Sequence, residues 1–440
     1  MFSYYFTLGV RSLRRSPALT TLMILTLAVG VAASIATLTI LHAMSSNPIP
    51  QKSTRLFTTI IDNAPAENYN PGEDADGENE NEQLSYIDAR NLLKGGPAVR
   101  RFAMHGLSAA IEPARADMPV ISVQGVAVSR DFFGMLDVPF LHGQAWSEAD
   151  DKAGADVVAI SRALADKLFG AANPVGQRLR MNGFDYQITG VLDDFMVLPK
   201  FYRLIGGNAF GDEDDVMVPL ATAVRHETGP SGQMWCTTGR DPGYQGLLKS
   251  ECTWMQMWFE TASAGERAEL QNWLDSYAAE QRKLGRLKRN AANRVYDVME
   301  WLAYRKVVGN DSRLAVYLAF GFLLLCLVNT VGLLLAKFSV RAAEVGVRRA
   351  LGASRRDIFT QFLIETGVVG LAGAALGLLF SFGALALVRA QSKELNAIAH
   401  LDGQMLVMTV VLSLGASLLA GLLPTWRACQ VTPAIQLKTQ

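Results

Sequence analysis

Nothing in the 440 residues reads as G-x-x-x-x-G-K-[ST]. The chain therefore lacks the loop that cradles a nucleotide's phosphates and is not expected to hydrolyse ATP itself. The five histidines and four cysteines never fall at zinc spacing, and no nucleophile elbow is present. A membrane-anchored enzyme thus has no candidate catalytic constellation here. Net charge is missing too: 41 basic and 41 acidic residues cancel, which gives no reason to expect a nucleic-acid partner. No acidic residue precedes Asp62.

What the chain has is apolar sequence, unevenly spread. Half of the residues are hydrophobic and 19% are charged, with the apolar ones concentrated at the start and in the last third. A bilayer crossing needs about 20 apolar residues. Four segments meet that length, predicted over residues 18–42, 313–338, 359–389 and 404–425. A secretory signal peptide is the rival reading of the first. Its apolar core is too long for that, and no clear small-residue cleavage site follows.

Flanking arginines set the expected orientation. Arg11, Arg14 and Arg15 precede the first span; Arg341, Arg348, Arg349, Arg355 and Arg356 fill the 339–358 connection; Arg427 follows the fourth span. All three clusters agree with both termini in the cytoplasm and residues 43–312 outside. The 390–403 loop is then outside as well, and the 426–440 tail inside. Ser16-Pro17 reads as a helix start. Before it, Phe2, Tyr5, Phe6 and Leu13 give residues 1–17 a loosely apolar face suited to the inner membrane surface.

The 339–358 connection reads as a helix over Ala342–Leu351, a stop at Gly352, and a capping box from Ser354 to Asp357 that opens the next helix. That second helix runs directly into the third span, so a push on the first helix reaches the membrane. Anchoring to lipid headgroups is the plainer role for these arginines, but anchoring does not require the helix, glycine and cap in sequence.

Glu344-Val-Gly-Val-Arg-Arg-Ala-Leu-Gly-Ala-Ser-Arg-Arg-Asp-Ile resembles the E-I-G-I-R-K-A-L-G-A-S-R-x-D-I pattern of the MacB/FtsX/LolC permease superfamily of ABC transporters. Asn329 and Glu365 also look like that family's pattern. The resemblance implies that Glu344, Val345, Gly346, Arg348, Arg349, Ala350, Leu351 and Gly352 belong to a coupling helix that contacts an ATP-binding subunit. Asn329 and Glu365 are polar at or near membrane depth, where such groups are rare and often functional. For Glu365, near the cytoplasmic end, pairing with an arginine is the structural alternative. Gly370, Gly373 and Gly377 in the third span, with Gly367 before them, suit close helix packing.

In the external segment, Val157–Ile160 reads as a strand, Ser161 as the cap of a helix ended by Gly170, and Asn182-Gly183 as a hairpin turn. This order of segments is similar to the MacB-type periplasmic core domain. Asp137 and Gln144 stand where that family often has Gly and Arg. The fold class implied is an α+β membrane protein: one N-terminal and three C-terminal membrane helices, with a large extracytoplasmic α+β domain of two subdomains between the first and second. Residues 264–284 read as an amphipathic helix with Leu270, Trp273, Leu274 and Tyr277 on one side, and Val295–Val308 as a stalk back to the membrane.

Cys236 and Cys252 fall in the external domain and suit a disulfide, worth roughly 3 kcal/mol. Nearby methionines leave Cu(I) binding as the other reading. Trp235, Trp254, Met255, Met257 and Trp258 form either ordinary core or an adaptable surface for a substrate or partner. The acids Glu73, Asp74, Asp76, Glu78, Glu80 and Glu82 lack EF-hand spacing and read as a solvated loop.

The resemblance implies a permease subunit of a bacterial inner membrane with no cofactor of its own. ATP and Mg would be bound by a separate LolD/MacB-like ATPase. A second permease copy or paralogue, a periplasmic adaptor, an outer-membrane duct and membrane lipids are the other implied partners. Expulsion of a lipoprotein, lipopeptide, peptide or drug-like molecule is the implied task, driven by motion of the external domain. The alternative is an FtsX-like transducer that regulates a periplasmic partner such as a cell-wall hydrolase.

Overall fold

The structure is a computed structural model that describes residues 16–63, 82–114, 117–211, 213–236, 239–290, 292–391 and 403–430. The basic segment expected before Ser16 lies outside these residues. So do Glu73, Asp74, Asp76, Glu78 and Glu80, most of the 390–403 connection and the end of the 426–440 tail. The chain divides into two units, 1–45 with 308–440, and 46–307.

The first element is helix α1 (Pro17–Ser45). The inserted unit then runs β1 (Leu56–Ile60), β2 (Leu84–Ser85), α2 (Tyr86–Leu92), β3 (Arg100–Glu112), β4 (Ile121–Val128), α3 (Asp131–Met135), β5 (Phe140–Gly143), α4 (Glu148–Ala153) and β6 (Val157–Ile160). It continues α5 (Arg162–Phe169), β7 (Arg178–Met181), β8 (Phe184–Leu192), β9 (Val216–Pro219), α6 (Leu220–Arg225), α7 (Gly243–Lys249), β10 (Thr253–Glu260), α8 (Arg267–Lys283), β11 (Arg294–Asp297) and α9 (Val298–Tyr304).

Among the described residues the strands form one sheet, ordered β11-β1-β10-β3-β4-β9-β6-β8-β5, with β2 on β10 and β7 on β3 and β8. The two expected subdomains thus share a continuous sheet. Pleating sends alternate side chains to opposite faces. Along β10, Met257 and Phe259 enter one core with Leu270 and Leu274 of α8, while Trp258 enters the other with Phe132 of α3 and Trp301 of α9. Helices on both faces are why all eight residues of β10 are buried.

Local signals fold as their chemistry dictates. Ser161 Oγ accepts the Leu164 N–H at 3.1 Å to start α5. Asn182 and Gly183 take positive φ, 52° and 82°, which turns β7 into β8. Asp137, at its Gly-type position, has φ 51° and is held there by Lys52 and by Gln51. The expected stalk is corrected: Arg294–Asp297 is an edge strand antiparallel to β1, because its residues pair with Phe57–Ile60. Asp297 then caps α9 in a capping box with Glu300.

The remaining helices are α10 (Asn310–Val340), α11 (Ala342–Ala350), α12 (Arg355–Gln391) and α13 (Gly403–Cys429). Helices α1, α10, α12 and α13 are long and apolar enough to cross a membrane. Small residues let them approach closely. A Cβ on Gly370 would sit 2.0 Å from Ser417 Oγ, and one on Gly373 3.3 Å from Leu27 Cβ. One on Gly377 would meet the Ala28 carbonyl at 3.3 Å. Ser413 Oγ donates to the Gly370 carbonyl at 2.9 Å, which ties α13 to α12. Gly367 faces open space and takes no part in this packing.

Candidate functional site

At one end of the helical unit, α11 crosses between α10 and α12. Arg341 closes α10, Gly352 (φ 97°) ends α11, and Ser354 accepts the Asp357 N–H at 3.1 Å to begin α12. Val345 points inward and packs in a cluster with Met23, Leu334, Phe338, Ile358 and Phe362. Gly346 is buried beside it. The Phe338 and Phe362 rings lie 4.3 Å apart, and the Arg341 guanidinium sits over Phe362 at 5.8 Å.

Charges lock this crossing. Glu365 of α12 is buried, with Oε1 2.7 Å from Lys337 Nζ of α10 and Oε2 2.8 Å from Arg341 Nη1. Lys337 Nζ also reaches Thr20 Oγ1 of α1 at 3.4 Å. Within α11, Glu344 pairs with Arg348 at 2.6 Å, and Arg348 donates to Gln361 Oε1 of α12 at 2.9 Å. One carboxylate thus joins α10 and α12 directly, and its neighbours add α11 and α1. A buried charge is tolerated when it is paired in this way.

The outer side of α11 differs. Val347 is 53% exposed and Leu351, one turn on, 83% exposed. The eight residues picked from the sequence therefore divide. Val345 and Gly346 face the bundle, Glu344 and Arg348 brace it, and Ala350, Leu351 and Gly352 face outward; Arg349 is half-buried. Sequence reading missed Val347, Lys337 and Gln361; it offered an arginine as partner for Glu365, and that arginine is Arg341. The i, i+4 spacing of Val347 and Leu351 was a usable signal. The Lys337–Glu365 pair had none, since its members lie on different helices.

Asn329 lies on the outer face of α10, exposed and without a hydrogen bond among the described residues. In the inserted unit, Cys236 and Cys252 are joined in a disulfide. Of the two readings of the Trp/Met patch, ordinary core holds for Trp254, Met255, Met257 and Trp258 and the surface reading is corrected: all four are buried, because β10 is central and covered on both faces. Trp235 remains exposed at 56%, on a bridge to Thr253. Glu82 pairs with Arg305, so this end of the acidic stretch is an ion pair.

Two families match the chain. The MacB-like periplasmic core domain matches residues 20–275 and the FtsX-like permease C-terminal domain residues 316–433. The chain belongs to the MacB/FtsX-type ABC transporter permeases. One relative is the macrolide export ATP-binding/permease protein MacB of Bdellovibrio bacteriovorus. It is 26% identical over 68% of this chain and 41% of its own length. Another is the pyoverdine export ATP-binding/permease protein PvdT of Pseudomonas aeruginosa, 26% identical over 70% of this chain and 42% of its own. The chain thus spans about two fifths of these relatives. The crystal structure of the periplasmic region of MacB from Actinobacillus actinomycetemcomitans covers 60% of this chain and 96% of that one, at 13% identity and TM-score 0.37. The permease family's two matched parts correspond to the architecture here: four apolar helices, one N-terminal and three C-terminal, around a mixed α+β insertion.

Proposed function

We propose that the chain is the membrane subunit of an inner-membrane exporter driven by an ATPase on a separate chain. The carrying observation is α11: its outer side leaves Val347 and Leu351 uncovered, while its inner side is bolted to three of the four long helices through Glu365 and its neighbours. An ATPase seated on Val347, Leu351 and Gly352 moves α11 and α12 together. Motion of the 46–307 unit then expels the substrate without an aqueous channel. Lipoproteins, lipopeptides, peptides and drug-like molecules are the substrate classes proposed, in keeping with the macrolide and pyoverdine export named for two relatives. Clustered arginines support a cytoplasmic position for this end and for both termini.

Two permease copies, or a copy and a paralogue, pair across a two-fold axis. Asn329 supports this. An exposed amide in the apolar stretch of α10 has no solvent partner in lipid, and a second chain supplies one. A periplasmic adaptor and an outer-membrane duct complete the export route. The match to the MacB-like domain over 20–275 favours export over signal transduction to a cell-wall hydrolase.

The test is purification in mild detergent from the native host, followed by mass spectrometry and an ATPase assay. Capture of an ATPase that is lost on Val347→Asp with Leu351→Asp supports the reading. Capture of none, with the chain folded, removes it.

A further inference from the structure

The cytoplasmic end proposed above carries a second feature, separate from α11. Between the first turn of α12 and the last turn of α13 is a groove of about 310 Å³, lined by Arg355, Arg356, Phe359, Trp426, Cys429 and Gln430. At about 30 Å³ per water, this is room for roughly ten waters, enough for a phosphoglycerol headgroup.

The groove joins two chemistries. At its polar side, Arg355 and Arg356 make no ion pair or hydrogen bond among the described residues. Asp357, next in the chain, is committed to the cap: it accepts the Ser354 N–H at 3.2 Å, while its own N–H goes to Ser354 Oγ at 3.1 Å. Arg356 feels the Asp357 charge without bonding to it, so both guanidinium groups keep their donors for a ligand, and the guanidinium fork matches phosphate oxygens bidentately. At its apolar side, Trp426 is 55% exposed beside Phe359. Leu422 and Leu419, one and two turns back along α13 on the Trp426 face, are exposed as well. An indole belongs at the level of the lipid carbonyls. Below it, the two leucines offer a track for an acyl chain.

We propose that this groove binds one anionic phospholipid, with Arg355 and Arg356 on the phosphate, Trp426 and Phe359 at the glycerol level, and a chain along Leu422 and Leu419. The site rests on the orientation argued above, which puts it at the inner leaflet. There, basic pockets between membrane helices take anionic headgroups. A protein partner accounts for the arginines alone. It gives no role to the leucines below Trp426, which lie within the apolar run of α13.

The test is native mass spectrometry of the delipidated full chain, titrated with phosphatidylglycerol and with phosphatidylcholine of the same chains. Phosphatidylglycerol should bind at least about tenfold more tightly. Arg355→Gln with Arg356→Gln should abolish that preference, and Arg427→Gln, next to Trp426 but outside the groove, should leave most of it. Excess inorganic phosphate should not compete. Equal binding of the two lipids overturns the site, as does equal loss in Arg427→Gln, which means a diffuse field. Competition by phosphate identifies a free-anion site and also overturns it. Should the double variant misfold, wild-type chain in brominated phosphatidylglycerol gives the answer: fluorescence quenching that Trp426→Phe removes supports the site, and quenching that it leaves unchanged sinks it. No ATPase is present in either measurement, so loss of the motor reading does not touch the result. Labelling of Gly352→Cys in intact and opened cells checks the orientation separately.

Discussion

Lys337 and Glu365 meet at 2.7 Å in the interior of the helical unit, both nearly inaccessible, from helices that share no local sequence. The pair is held by a second cation, Arg341, on the other carboxylate oxygen. Burying two charges is costly unless each keeps its partner, and losing one partner leaves the other stranded.

Glu365→Ala is therefore expected to destabilise the full chain in detergent by about 3 kcal/mol or more. Lys337→Met with Glu365→Met should recover a good part of that loss, because Arg341 keeps Glu344 within 3.7 Å. Thermal or denaturant unfolding of the three proteins measures this. A double variant no more stable than Glu365→Ala would show that the ion pair is not what holds the crossing.

The glycines of α12 make a sharper contrast. Gly370→Ala drives a methyl into Ser417 and should cost about 1–3 kcal/mol. Gly367→Ala, three residues away, meets nothing and should be neutral or stabilise by up to about 1 kcal/mol through helix propensity. Melting temperatures of both variants in the same detergent decide it. Equal losses would mean that the helices do not pack as described.

His105 sets a pH dependence for the inserted unit. Its ring is buried 4.9 Å from Trp254, with Nδ1 2.9 Å from the Gly106 carbonyl. Burial pushes its pKa down to about 4, and Arg203 adds to the effect despite the favourable carbonyl. The unfolded chain protonates this imidazole near pH 6.5, the folded one only near 4. Between these values the unfolded state holds more protons, so stability falls as the pH drops from about 6.5 to about 4 and then levels off. The full loss is about 3 kcal/mol. The stability difference between wild type and His105→Gln, followed by denaturant unfolding from pH 7 to 4, should shrink or reverse by about this amount. A difference that does not vary with pH removes His105 as the cause.

Much of the architecture was legible because its signals are local. Apolar length marks the spans, Ser161 and Ser354 announce helix starts, and Asn182-Gly183 names its own turn. The Glu344–Gly352 motif marks the crossing helix in the sequence itself. What the sequence hid was relational. Strand β10 lacks the alternation of a half-exposed strand since both its faces are covered, so for Trp254 and Trp258 core and surface stayed equally open. Segment Arg294–Asp297 looked like a stalk because its partner, β1, lies more than two hundred residues earlier. Lys337 carries no signal in the sequence, and only its distance to Glu365 makes it part of the core.

Helix α12 runs unbroken from Arg355 to Gln391, and Gly373, where it presses on Leu27 of α1, is its midpoint. About 27 Å of helix extends on either side of that contact. Such a beam is a lever with equal arms and a fulcrum at the glycines. In the coupling proposed above, a tilt imposed at Arg355 would be returned at the far end with opposite sign and nearly the same size. Amplification, where the transporter needs it, must come from beyond this helix.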